Sequence, residues 1–116
     1  GLMIKDEPYV RSPKEIKENS IVFLSNLLEG MELELLESTE IIKDTRKAVF
    51  DKINEMGDLS GIINFHCILR TLELEQKGTG EDYGKIFLNI PTVGFSTYGE
   101  EYLGHINQTS TMLVFK

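Results

Sequence analysis

His66, Cys67 and His105 are the chain's imidazole and thiol groups, so metal or nucleophilic chemistry would have to begin with them. His66 and Cys67 are neighbours in a hydrophobic run, Gly61 to Leu69, that reads as a strand. Adjacent strand residues point to opposite faces, so these two do not readily share one metal. A Cys–His catalytic pair would need His105 to reach Cys67 across a sheet. Cys67-Ile68-Leu69-Arg70 is also too short for the loop in which a phosphatase cysteine and arginine enclose a phosphate. A small core residue at a strand end is the plain reading of Cys67.

Gly78-Thr79-Gly80-Glu81-Asp82-Tyr83-Gly84-Lys85 invites a nucleotide reading and fails it. Tyr83 stands where a dinucleotide fingerprint needs its third glycine, and Ile86 follows Lys85 where a P-loop needs Ser or Thr. Glu81 and Asp82 would put negative charge against the phosphates. Glu32, Glu34, Glu37 and Glu40 form a carboxylate-rich stretch, but the alternation of the first two marks a solvated strand face. No catalytic motif emerges. The chain reads as a non-enzyme without metal or cofactor.

Three features are harder to assign to packing. Arg70 follows the hydrophobic strand closely, where its planar fork can take a carboxylate or cap helix carbonyls. Gly94-Phe95-Ser96-Thr97-Tyr98-Gly99-Glu100 mixes hydroxyls, aromatics and an acid around two glycines. Asn107-Gln108-Thr109-Ser110-Thr111 is a dense run of donors and acceptors at a strand start. Turn chemistry is the competing explanation of each.

The elements that would position these residues follow from periodicity. Tyr9-Val10-Arg11 is a possible short strand between Pro8 and Pro13, and Ile21 to Leu24 reads as a buried strand. Met31 to Leu35 alternates, with Met31, Leu33 and Leu35 toward a core, and Gly30 closes a hairpin between the two runs. Ser38 is the expected N-cap of a helix over 39–56. Its stripe is Ile41, Ile42, Thr45, Ala48, Val49, Ile53 and Met56, and Gly57 is its stop. Gly61 to Leu69 is the central strand, followed by a short helix over 70–77 and a second over 81–89. Strands at 92–97, 102–106 and 110–115 then form a meander. The resulting class is α+β. The order is ββαβαβββ, with one layer of mainly antiparallel sheet of about five or six strands and the helices on one face.

The 116 residues have room for one core, and the chain reads as a single domain over 1–116. Its start on Gly1 suggests excision from a longer protein. With 12 Lys+Arg against 19 Asp+Glu, the net charge of −7 disfavours nucleic acid and anionic membrane as partners. A lone cysteine fits a reducing, cytoplasmic setting.

Taken in order, these features resemble the C-terminal domain of the FIST family, a bacterial sensory module. The matching residues are Tyr9-Val10-Arg11-Ser12-Pro13, Glu29-Gly30, Phe65 to Arg70, Pro91 to Glu100 and Asn107-Gln108-Thr109. Leu69 departs from the pattern, which has a small residue before the arginine. The resemblance implies sensing of small ligands, amino acids among them. It also implies an N-terminal FIST domain as partner, and signalling outputs such as a histidine kinase, chemoreceptor or diguanylate cyclase. The leading reading is a ligand-sensing domain whose polar pocket gathers Arg70, Cys67, Tyr98, Glu100, Asn107 and Thr109. The alternative is a docking domain within a signalling protein, with no small-molecule ligand.

Overall fold

A computed structural model describes residues 1–116. The N-terminal part holds two hairpins, β1 (Leu2–Ile4) with β2 (Glu7–Tyr9) and β3 (Pro13–Lys17) with β4 (Ser20–Phe23). After an irregular stretch come α1 (Ile41–Met56), β5 (Gly61–Cys67), α2 (Ile68–Lys77), α3 (Gly80–Lys85) and β6 (Thr92–Thr97). The chain closes with β7 (Glu100–Glu101), β8 (His105–Ile106) and β9 (Ser110–Phe115). The fold is α+β, built from several small sheets and three helices.

The largest sheet has the order β6-β5-β9. β5 runs parallel to β6, from Ile62 opposite Thr92 to Cys67 opposite Thr97. It runs antiparallel to β9, from Gly61 opposite Phe115 to His66 opposite Ser110. A parallel pair needs a crossover, and α2 with α3 supplies it. Ile62, Asn64 and His66 turn one face of β5 inward, where Ile62 joins Val49, Leu59, Phe87 and Ile90 in the buried core. Met112 and Val114 of β9 and Ile53 and Met56 of α1 pack around that cluster.

Local chemistry explains the helix limits. Thr45 and Val49 are buried one turn apart and Ile53 continues the stripe, which holds α1 against the sheet. Gly57, at φ 85°, ends α1 and sends its N–H back to the Ile53 carbonyl. Gly78, at φ 65°, ends α2 in the left-handed conformation. Gly94 answers a different need, because a Cβ there would collide with the Asn64 carbonyl of the neighbouring strand.

Several expectations are corrected. Met31 to Leu35 forms no strand: Glu34 and Gly1 exchange backbone hydrogen bonds, and Leu35 is fully exposed. The run from Ile21 pairs with β3, a nearer partner in sequence than Met31 to Leu35. Ser38 does not cap α1. Glu40 stands at that position without a side-chain cap, and Thr39 bonds instead to Asp44 in the first turn. The central strand ends at Cys67, which puts Arg70 in the first turn of α2. The second short helix stops at Lys85. The last strands form no meander, since β6 and β9 flank β5 on opposite sides while β7 and β8 pair with each other. The sheet is therefore mixed and divided, where a single mainly antiparallel layer was expected.

Val49→Asp should cost on the order of 3 kcal/mol in a denaturant melt, because it sets a carboxylate without a partner among Leu59, Ile62 and Phe87. A parent-like melt would mean that α1 does not pack on this sheet.

Candidate functional site

Arg70 leaves the first turn of α2 and reaches α1, where its Nη2 donates to Thr45 Oγ1 at 3.0 Å. Its Nε is buried without a hydrogen-bond partner. The ion pairs of the molecule all lie elsewhere, so this half-buried guanidinium has no carboxylate bound to it. It lines a cavity of about 380 Å³ wedged between α1 and the sheet. One end of the wedge is polar, with Asp44, Thr45, Arg70 and Thr109. The other is mainly apolar, with Val49, Ile62, Met112 and Val114 beside the Lys52 side chain. Arg70, Asp44 and Thr109 also line a second cavity of about 460 Å³ that extends toward Val10, Glu37 and Ser38.

A cleft of about 570 Å³ between α1 and α2 is larger, but it holds none of the six residues singled out from the sequence. Its walls carry Lys43, Arg46, Lys47 and Lys77 around Phe50 and Leu74.

The structure divides those six residues. Arg70 and Thr109 face the wedge. Cys67 and Glu100 are buried in contact with Thr109 and its neighbour. The Gln108 N–H donates to Cys67 Sγ at 3.3 Å, while the hydroxyls of Thr97 and Thr109 donate to the Glu100 carboxylate, Thr109 at 3.0 Å. Burial pushes the Cys67 thiol above its ordinary pKa, and the Glu100 charge adds to the rise against opposing backbone amides. Glu100 thus joins the end of β6 to the start of β9 through hydroxyls and forms no ion pair with Arg70. Asn107 is also occupied. Its Oδ1 accepts from Ser25 Oγ at 2.5 Å, and its backbone N–H donates to the Val10 carbonyl at 3.3 Å. Tyr98 is 89% exposed on the turn after β6 and does not line the wedge.

A polar chain that sequence reasoning missed runs across the inner face. Ser110 Oγ donates to Asn64 Oδ1 at 2.7 Å, and Asn64 Nδ2 donates to the Tyr83 hydroxyl at 3.1 Å. The Tyr83 hydroxyl in turn shares a hydrogen bond with His66 Nδ1 at 3.2 Å, and His66 Nε2 is buried and unpartnered. Burial, and then the charge of Arg70, lowers the His66 pKa to about 4. The signal was present in the spacing of Ile62, Asn64 and His66, which puts two polar side chains on the strand's core face. Thr45 was missed in the same way, having been read as part of an apolar stripe.

A family model described as the FIST C domain matches residues 1–102. Asn107 and Thr109 lie beyond the matched residues. No curated protein and no solved structure matches the chain. No helix is long and apolar enough to cross a membrane.

The His66 environment has a measurable consequence. An unfolded chain takes up this proton near pH 6.5, whereas the folded one does so only near 4. The unfolded state therefore binds more protons between those values. The stability contribution is complete above the upper value and is lost as pH falls through the window, on the order of 3 kcal/mol in all. His66→Gln keeps an acceptor for Tyr83 but removes the titration. Its thermal melts from neutral pH to about pH 4.5 should be flatter than the parent's. Parallel curves would assign the acid sensitivity to other groups.

Proposed function

Because the chain belongs to the FIST C domain family, a family of sensory and signal-transduction modules, we propose that it senses a small carboxylic acid held by Arg70. One observation carries this reading: Arg70 is a half-buried cation without a carboxylate, set at the polar end of a cavity whose other end is mainly apolar. A planar guanidinium suits a carboxylate, and charge-assisted bonds of this kind contribute about 1.5–3 kcal/mol. An amino acid fits the surroundings best. Its carboxylate meets Arg70, its ammonium lies toward Asp44 and Glu37, and an aliphatic side chain enters between Val49 and Val114.

Thr45 and Arg70 come from α1 and α2, and Thr109 from the residue just before β9, so a ligand that engages all three changes how those elements sit together. That is the event an N-terminal FIST domain would relay to an output such as a histidine kinase, chemoreceptor or diguanylate cyclase. In this reading the domain is a non-catalytic, cytoplasmic binding module. Cys67 supports this as a buried thiol with a raised pKa, poorly suited to act as a nucleophile.

A thermal-shift panel of amino acids and simple carboxylic acids tests the proposal. A true ligand at a hundredfold its dissociation constant adds about 2.7 kcal/mol, which raises the melting temperature by several degrees. Arg70→Lys should abolish the rise while lowering the unliganded stability by no more than about 1 kcal/mol, the worth of the bond to Thr45. Asp44→Asn should weaken amino acids more than simple acids. A panel in which no acid shifts the parent would favour the docking reading.

A further inference from the structure

The sheet formed by β6, β5 and β9 has helices on one face only. Its opposite face presents Ile63 and Phe65 from β5, Val93 and Phe95 from β6, and Leu113 and Phe115 from β9. The register makes these contiguous: Ile63 lies between Val93 and Leu113, and Phe65 lies beside Phe95. The two rings of that last pair meet edge-on, with centroids 5.5 Å apart at 88°. Val93 and Phe95 are 68% and 61% exposed, and Leu113 and Phe115 are 54% and 47% exposed. No residue that the three strands direct to this face carries a charge, although 31 of the 116 residues are charged (12 basic and 19 acidic).

Strands that are apolar on both faces, as in all-parallel sheets, are ordinarily covered on both, and β5 is apolar toward this face through Ile63 and Phe65. Here the molecule measures only 20 Å through its shortest axis, the depth of one sheet and one helix layer. A third layer is missing. The four most exposed side chains offer on the order of 400 Å² of apolar surface, a large patch for a monomer and about half of what a standard interface takes from each partner. Ile63, Phe65 and the open edges of β6 and β9 lie within the same footprint.

We propose that a second copy of this chain covers the face, with the two sheets stacked about a two-fold axis. An isologous contact must be complementary to itself, and a flat apolar face meets that condition without placing like charges opposite each other. Each copy carries −7, so repulsion acts at the rim of the interface and salt relieves it.

Sedimentation equilibrium of the 116-residue chain over dilutions up to about 100 µM tests the proposal. The expected result is a reversible dimer, with a larger dimer fraction at higher salt. Phe95→Glu and, separately, Val93→Lys should each weaken self-association at least roughly tenfold while the far-ultraviolet circular dichroism stays parental. Phe50→Glu, in the cleft between α1 and α2 and away from this face, should leave the dimer intact. A monomer across the whole range would overturn the proposal, leaving the face to a different partner. So would a dimer that survives a folded Phe95 or Val93 variant.

Discussion

β5 is hydrogen-bonded along both edges, parallel to β6 and antiparallel to β9, and the position of every group in the site depends on that double pairing. The parallel side brings the Asn64 backbone so close to residue 94 that only glycine fits. The antiparallel side sets Ser110 opposite His66 and places Asn64 within reach of its hydroxyl. A one-residue slip would turn Ile62, Asn64 and His66 away from the helices and expose the core together with the polar chain. Register, core and site are thus one constraint.

Within that frame the polar groups fall into two sets. Asn64, His66, Tyr83, Glu100 and Asn107 are bound to neighbours inside the protein, through hydroxyls, amides and a neutral imidazole. The buried Glu100 carboxylate takes two hydroxyl donors instead of a cation, which leaves Arg70 unneutralised by it. Arg70 keeps a single side-chain bond, to Thr45. It also disfavours a second positive charge nearby, which helps hold His66 neutral. The consequence is a guanidinium at one end of the wedge that forms no ion pair, although Asp44 lines the same end.

What the sequence made legible was local. α1 was readable because a stripe at helical spacing over 16 residues is hard to produce otherwise, and β5 because seven apolar-rich residues lie between turn signals. Met31 to Leu35 has the alternation of a strand, but alternation describes a face and does not supply an edge to pair with. Only the Glu34 backbone found one, at Gly1. The parallel position of β6 was not readable, because a strand does not encode whether its neighbour lies one hairpin or one crossover away. Arg70 was found from its place after the strand, although its position in α2 and its contact with Thr45 were not. Glu100 and Asn107 were read as binding groups because polar residues near turns look alike, whether they bond to ligand or to protein.

The limited burial of the chain bears on signalling. The Cα radius of gyration is 15.6 Å, against ~13 Å for a compact domain of about this length, and the buried apolar cluster has only five members. Such a core leaves α1 held to the sheet chiefly by Val49, Ile53 and Met56, and to α2 by the Arg70–Thr45 bond, with a cavity beside them. Filling that cavity would add apolar contacts and an ion pair at the place where packing is weakest. Binding energy there goes directly into the docking of a helix, since a ligand that favours one position of α1 shifts the population toward it. A tightly packed domain would resist the same ligand and transmit less. The wedge between α1 and β9 is therefore the place where, on the proposed reading, a ligand would complete the core.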